Sequence, residues 1–321
     1  ALVAAKKGVL IAAVDSVLYQ IHPGSKKTLR KVCDIPTDKW LSMSIASGAV
    51  VLVSKGRRMI RVDVATGALQ DLPVPGTTDD RIGSIYWNGT TLLAGIDRGN
   101  GGLYTMRIDA PIWQSVSLST TKNADIMVNR IVERNGTVIA CMLRNGLYVL
   151  DTSLRRAEQC HQGIRGTALA TLHALSKDRY VTSRTAGVFR LTGCGSTVER
   201  ISSSLPVGEG FAAAAMQNEL FVTSGRRGLW RTTSGGRKWM PCRYPDSSAY
   251  IDRLDVLGST LIASARDRSW ISQDRGASWT RLRILSDTSM LRWTASNGDF
   301  HLVGTTTGSY IKRGASAVWE R

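Results

Sequence analysis

Acidic residues are scarce in this sequence, and so are the side chains from which catalytic and metal sites are usually assembled. Its 321 residues include four histidines and six glutamates. His22, His161, His173 and His301 are too scattered for a ligand cluster, and His301, inside a strand-like run, reads as a core or edge residue. The five cysteines, Cys33, Cys141, Cys160, Cys194 and Cys242, form no Cys-x-x-Cys pair, so neither a zinc site nor a redox motif is indicated. Cys160 and Cys194 fall on neighbouring repeats of the pattern described below and could be bridged, but five buried or half-buried thiols is the simpler expectation. No Ser-His-Asp order, phosphate-binding glycine loop or calcium loop is present. No metal or cofactor is therefore expected. No apolar run approaches the roughly 18 residues that a membrane-spanning helix needs. No linker rich in Pro, Gly or Ser interrupts the chain, which predicts a single domain over residues 1–321. No signal peptide is visible, and the strand-like run from Leu2 to Ala5 is what a processed mature terminus would show.

What is abundant is positive charge. Lysine and arginine number 42 against 25 aspartates and glutamates, a formal net charge of +17, and most of the cations are arginine. Arginine's planar fork matches carboxylates and phosphates two bonds at a time. A chain of this length can bury about three quarters of its unfolded surface, so a large core needs no disulfide or metal.

One pattern runs the length of the sequence: a short apolar strand, a loop, an aromatic or aliphatic pair, a polar turn and another strand. It fits residues 10–19, 51–60, 92–104, 138–148, 180–189, 220–230, 261–271 and 301–311. The closing residues, Tyr19, Ile60, Tyr104, Tyr148, Phe189, Trp230, Ile271 and Ile311, recur every 40 to 44 residues. Before several of these units lies another apolar segment ending in Asn-Gly, at 88–89, 135–136 and 297–298. Asn-Gly between apolar runs signals a hairpin, because both residues tolerate the positive φ of a type I′ turn. Asn88 and Asn135 also begin glycosylation sequons, but a hairpin turn is reason enough for both. Each repeat thus has four strands, here a to d, and four-stranded antiparallel units at this period predict an all-β propeller of eight four-stranded blades, with seven as the alternative. Val318-Trp319 would be strand d of the last blade. Strands a, as in 41–46 and 211–215, are rich in small residues suited to close approach around a channel.

The c–d connection of the seventh unit reads Ser272-Gln273-Asp274-Arg275-Gly276-Ala277-Ser278-Trp279. A carboxylate to accept backbone N–H bonds, a glycine for positive φ and an indole to pack back on the sheets make a hairpin tip, not a catalytic group. With Ser272, Asp274, Gly276 and Trp279 in their places, the stretch resembles the Asp-box of sialidase-type and related β-propellers. A weaker copy ends at Trp239, with Ser234 where the aspartate would stand.

Antiparallel alternation puts a–b and c–d turns on one face and b–c and d–a loops on the other. The b–c loops of six successive units carry arginine: Arg57 and Arg58, Arg98, Arg144, Arg184, Arg226 and Arg227, Arg266 and Arg268. Arg81 and Arg165, from d–a segments, could join them. Such a face would hold an acidic protein surface by charge-assisted hydrogen bonds. The chain as a whole resembles the non-catalytic, BNR-repeat kind of Asp-box propeller, and with its arginine face it is similar to photosystem II assembly and stability factors. That resemblance implies an extracytoplasmic scaffold (periplasmic, lumenal or secreted), an accessory subunit or assembly factor that docks an acidic partner, including an acidic segment of a membrane complex.

Two other functions were weighed on the residues. A sialidase-like glycoside hydrolase or a carbohydrate-binding propeller would share the box, but the family's Arg-Ile-Pro signature is missing. The acid pair that glycoside hydrolysis requires would have to be Glu209 with Asp79, Asp80 or Asp252, which nothing in the sequence selects. Polyanion or nucleic-acid binding would use the same charge, but the basic loops carry few aromatics for stacking, Trp270 being the nearest.

Overall fold

The computed structural model describes residues 2–6, 9–14, 16–21, 29–119, 126–134, 136–143, 146–160, 169–175, 178–183, 187–192, 198–205, 211–224, 228–265, 268–282, 291–296, 300–305 and 309–313. Two compact units divide the chain, residues 1–166 and 167–321, and each holds four sheets among the described residues. In the first unit, β1 (Leu2–Lys6), β2 (Val9–Val14), β3 (Val17–Ile21) and β4 (Leu29–Asp34) form the first sheet. β5 (Trp40–Ala46), β6 (Ala49–Ser54), β7 (Met59–Asp63) and β8 (Leu69–Leu72) form the second, and β9 (Arg81–Trp87), β10 (Thr91–Arg98), β11 (Leu103–Arg107) and β12 (Ala110–Ser115) the third. The fourth takes in β13 (Ser117–Leu118) together with β14 (Val128–Arg134), β15 (Thr137–Met142), β16 (Leu147–Leu150) and β17 (Arg156–Gln159).

In the second unit the fifth sheet is β18 (Leu169–Leu175), β19 (Asp178–Ser183), β20 (Gly187–Leu191) and β21 (Val198–Arg200). The sixth is β22 (Phe211–Met216), β23 (Glu219–Ser224), β24 (Leu229–Thr232) and β25 (Met240–Cys242). β26 (Arg253–Leu257), β27 (Thr260–Ser264), β28 (Ser269–Ser272) and β29 (Thr280–Arg281) make the seventh, and β30 (Leu291–Ser296), β31 (Phe300–Thr305) and β32 (Ser309–Arg313) the eighth. Residues 318–319, the expected last strand d, lie outside the described residues.

The eight anchors fall at one place in this scaffold. Each is the strand-c partner of the same strand-b position: Ala12 faces Tyr19, Leu52 Ile60, Ala94 Tyr104 and Ala140 Tyr148. In the second unit Val181 faces Phe189, Val222 Trp230, Ile262 Ile271 and Leu302 Ile311. A one-residue slip in any sheet would turn its apolar set to the wrong side, so the common register is what lets one sheet pack on the next.

That packing explains why strands b read as unbroken apolar runs. All six residues of β6 are buried. Val50 and Leu52 point into a cluster with Ile11 and Leu18 of the first sheet, whereas Ala49, Val51 and Val53 join Trp87, Leu92 and Ile96 of the third. A third cluster joins Leu93 and Leu103 of the third sheet to Tyr148 and Leu150 of the fourth. Within the second unit the same arrangement links fifth to sixth sheet through Tyr180, Val188 and Val222, sixth to seventh through Phe221, Leu261 and Trp270, and seventh to eighth through Ile262 and Val303. Sheets covered on both faces need apolar residues at consecutive positions, and the period-2 alternation of a half-exposed strand disappears.

The first strands of successive sheets lie side by side, β1 by β5, β5 by β9 and β9 by β14 in one unit, and β18 by β22, β22 by β26 and β26 by β30 in the other. Being sheet edges, they carry N–H groups with no strand partner on one side. Serines of the preceding sheet meet this need. The Ile85 and Trp87 N–H groups donate to Ser42 Oγ (3.1 Å) and Ser44 Oγ (2.9 Å), and the Ile131 N–H donates to Ser84 Oγ (2.9 Å). The small residues of strands a thus stitch one sheet to the next.

Three details depart from the sequence reading. The fourth sheet has a fifth strand, because β13 runs parallel to β17, pairing Ser117 with Arg156 and Leu118 with Ala157. Its polar groups cover an edge that would otherwise be open. The Asn88–Gly89 turn is held by the Asn88 side chain, which accepts the N–H groups of Thr90 (3.0 Å) and Thr91 (2.8 Å), and only Gly89 has positive φ. Among the described a–b turns, two successive positive φ values occur at Ser47–Gly48, which lacks the Asn-Gly signature. Third, Trp279 is half-buried where a buried ring was expected.

The 272–279 turn joins β28 to β29 as anticipated, and its hydrogen bonds close it. Asp274 Oδ1 accepts the Ser278 N–H (2.8 Å) and the Ser272 hydroxyl (2.8 Å), and Oδ2 accepts the Ser278 hydroxyl. The Gly276 N–H donates to Ser272 Oγ (2.7 Å). Gly276, at φ 82°, lies against Cys242 of the sixth sheet, and Trp279 Nε1 donates to the Arg243 carbonyl (2.8 Å) just beyond β25. In the degraded copy, Ser234 Oγ accepts the Lys238 N–H (2.9 Å), standing in for the carboxylate, and Trp239 Nε1 donates to the Ile201 carbonyl (2.9 Å) beyond β21. Trp113 makes the same reach in the first unit, to the Pro73 carbonyl (2.9 Å) beyond β8. These three tryptophans clip the third, sixth and seventh sheets to their predecessors.

The Ser278 hydroxyl and N–H and the Ser272 hydroxyl hold the Asp274 carboxyl at about 2. The unfolded chain, with an aspartate near 3.9, takes up the proton first as pH falls. The stabilisation is complete above about pH 5 and is lost as pH drops through 2. The difference in melting temperature between wild type and Asp274→Ala is expected to narrow steadily from pH 5 to pH 2 in a calorimetric series. A difference that did not change with pH would mean the carboxylate's charge plays no part in the turn.

Candidate functional site

Four of the nine b–c arginines fall among the described residues, and they come from two separate units. Arg144, Arg184, Arg226, Arg227 and Arg266 lie outside the described residues, as do Arg165 and Glu209. Arg57 and Arg58 occupy the turn between β6 and β7, Arg98 ends β10, and Arg268 stands just before β28. By strand order all four belong to the b–c side of their own sheets, as the sequence predicts.

Their guanidinium groups, however, do different things. Arg57, at φ 62°, reaches into the 73–80 segment and donates to the carbonyls of Asp80 and Pro75 (3.0 Å to Pro75). Arg58 forks onto Asp71 of β8, with Nε to Oδ1 at 3.0 Å and a second nitrogen to Oδ2 at 3.3 Å. In the other unit Arg268 donates to Asp246 Oδ2 (2.9 Å) in the segment leading to β26. Arg81, the first residue of β9, pairs with Asp97, Nε to Oδ1 at 2.7 Å, and this bond raises its pKa further. Arg57, Arg58 and Arg268 thus tie loops to neighbouring strands within their own units. Arg98 is exposed, with no polar partner among the described residues, and it sits opposite Arg81 in the β9–β10 register.

Beneath Arg98 the loops are fixed by a residue that the sequence reading weighed only as an acid. Asp80, 2 % exposed, accepts the Thr77 N–H (2.6 Å) and hydroxyl (3.1 Å) on Oδ2 and the Asn100 N–H (2.6 Å) on Oδ1. Asn100 Nδ2 returns a bond to Thr77 Oγ1 (3.0 Å). Burial by itself would push the Asp80 carboxyl up, but the donors of Thr77 and Asn100, with the Arg57 charge, outweigh it and hold the group below its ordinary value. A carboxylate so committed is the reverse of a general acid, which needs a raised pKa and a free oxygen. The signal that could have identified it is Gly76 and Gly99, the two glycines against which its oxygens pack.

One tyrosine stands beside carboxylates. Tyr180 OH lies 3.4 Å from Asp178 Oδ2, which Arg190 Nε also contacts at 2.8 Å. Burial, then the Asp178 charge, raises the Tyr180 pKa, so the phenol stays protonated rather than becoming a nucleophile. Among the described residues no group of three or more His, Cys, Asp and Glu is placed to hold a metal ion. Cys33, Cys141 and Cys242 are free thiols, and burial raises the Cys141 pKa to about 12.

No protein-family model matches the sequence, and no curated protein matches it. Solved structures do resemble it. BamB from Moraxella catarrhalis is 11% identical with a TM-score of 0.70, the match covering 100% of this chain and 95% of that one. YCF48 bound to a D1 peptide is 11% identical with a TM-score of 0.55, over 97% and 89% of the two chains. A catalytically inactive variant of virginiamycin B lyase from Staphylococcus aureus, with quinupristin, is 10% identical with a TM-score of 0.60, over 85% and 94%. These are likenesses of fold: the neighbours are β-propellers, and this chain is all-β with the same construction from repeated antiparallel sheets. They include a peptide binder and an enzyme, so the fold leaves function to be argued from the site. No helix among the described residues is long and apolar enough to cross a membrane.

The division of labour among the arginines can be measured. Arg57→Ala removes two hydrogen bonds to loop carbonyls and is expected to lower unfolding free energy by about 1–2 kcal/mol, whereas Arg98→Ala should change it by less than about 0.5 kcal/mol. Urea denaturation of both variants at pH 7 checks this, and equal losses would contradict the assignment.

Proposed function

We propose that this protein is a non-catalytic propeller with eight blades, that residues 1–321 make a single domain, and that it docks an acidic protein surface on its b–c face as an accessory subunit or assembly factor. The observation that carries the reading is Arg98: an exposed guanidinium without a partner among the described residues, set opposite Arg81 on loops made rigid by the Asp80 bonds. A pre-ordered cation loses little entropy on binding, and a carboxylate partner gains a charge-assisted bond. The remaining b–c arginines, Arg144, Arg184, Arg226, Arg227 and Arg266, extend the same face in this proposal. The net charge of +17 adds long-range attraction for any acidic partner. The fold likeness to YCF48, a propeller seen with a D1 peptide bound, agrees with a peptide-docking role. An extracytoplasmic location and a partner within a membrane complex belong to the same proposal, as the resemblance to photosystem II assembly factors implies. The 272–279 turn is read as an Asp-box whose duty is structural. Sialidase-like hydrolysis and nucleic-acid binding gain no support from the Asp80 and Tyr180 environments or from the loops described.

Co-purification from the native source, with the companions identified by mass spectrometry, names the partner. Reversal of Arg98, Arg144 and Arg226 to glutamate is expected to abolish its recovery. The same charge change at Lys6, Lys7 and Arg313, on the a–b side or at the end of β32, should leave most of it. Equal loss in both triple variants would reduce the effect to overall charge and end the proposal of a specific face.

A further inference from the structure

A second recess lies in the first unit, on the side away from Arg98. It opens between the third and fourth sheets, where β11 and β12 meet the turn that joins β16 to β17, and its volume is about 360 Å³. This is within the range of small-ligand sites, roughly 300–1,000 Å³. Elsewhere the c–d turn brings a glycine onto the preceding sheet, as Gly67 does on Val32 and Gly276 on Cys242. In the 151–155 turn the positive-φ position is taken by Leu154, whose buried side chain goes into the core with Val116 and Leu150. Beside it the recess remains.

Its lining is chemically divided. Ala110 supplies apolar wall, and Ile112, 74% exposed, is the most exposed large hydrophobic side chain among the described residues. Thr105, 4% exposed, lines the recess, and its hydroxyl oxygen has no hydrogen-bond partner in the protein, an uncommon state for a buried polar atom. Of the two guanidiniums, Arg107 is forked onto Asp109, with Nε to Oδ1 at 2.9 Å. Asp151 is occupied by the Ser153 hydroxyl (2.6 Å) and the N–H groups of Arg155 and Arg156. The Arg155 side chain has no partner among the described residues, which leaves it the one uncommitted charge of the lining.

An uncommitted cation at the mouth, an exposed aliphatic wall and an orphaned hydroxyl describe the complement of a carboxylate on a short aliphatic chain. We propose that this recess binds a small organic monocarboxylate, its carboxylate on Arg155 and its chain along Ile112 and Ala110 towards Thr105. A cation of the same length would meet Arg155 with the wrong sign, and a bare anion would leave the apolar wall unused. The site is separate from the b–c face, and the two proposals stand or fall independently.

The test is titration calorimetry of the whole chain with hexanoate, hexylammonium and acetate at one ionic strength. Saturable 1:1 binding of hexanoate is expected, with acetate and hexylammonium at least tenfold weaker. Arg155→Gln, an exposed substitution, should weaken hexanoate about tenfold or more, the worth of a charge-assisted hydrogen bond. Ile112→Ser should weaken it less, and neither variant should shift the melting temperature of the free protein. Equal binding of hexanoate and hexylammonium would reveal a merely greasy surface and overturn the proposal. So would an unchanged hexanoate affinity in Arg155→Gln, or no binding of hexanoate to the wild type.

Discussion

Within each unit, successive described sheets cover one another's faces, and the rest of the structure follows from that burial. β6 has no exposed side, with Val50 and Leu52 directed into one cluster and Val51 and Val53 into the other. A single sheet of this chain would therefore leave a continuous apolar surface in water, at about 25 cal/mol for each Å², and cannot be stable alone. Stability has to come from the stack, as in other repeat architectures where each unit depends on its neighbours. The smaller devices serve the same contact. Ser42, Ser44 and Ser84 satisfy N–H groups of the neighbouring first strand, and Trp113, Trp239 and Trp279 reach back to a carbonyl of the preceding sheet.

Against this regular frame, charge is used in two ways. Several described arginines of the loops and strands are paired within the protein: Arg58 with Asp71, Arg81 with Asp97, Arg190 with Asp178, Arg253 with Asp255 and Arg268 with Asp246. Pairs this exposed add little stability each, but they fix loop geometry. Fixed loops are what allow a few uncommitted cations, Arg98 on one side and Arg155 on the other, to present a set direction to a partner. Cations outnumber acids 42 to 25, so carboxylates cannot pair with all of them.

The hairpin anchors were legible because a strand pair is a local object. Tyr19, Ile60, Tyr104 and their counterparts recur at a fixed spacing, and the pairing register bears out each of them. The role of the 272–279 and 232–239 turns was legible for the same reason, since glycine, hydroxyl and carboxylate interact within eight residues. Asp80 was not, because its donors, Thr77 and Asn100, lie in different loops and meet only when β9 and β10 pair. Nor was the true type I′ turn, at Ser47–Gly48, where serine adopts the positive φ that the register of β5 and β6 demands.

By itself the sequence determined the class of structure and its repeat, because strand length, apolar runs and turn residues are properties of contiguous stretches. It also determined which side of each sheet the arginines reach, since antiparallel order alone fixes that. Only the tertiary structure decided which of them are available. Whether a guanidinium faces a carboxylate depends on residues tens of positions away, such as Asp246 for Arg268 and Pro75 for Arg57. Charge counted along a chain measures supply, whereas recognition depends on what remains unpaired after folding.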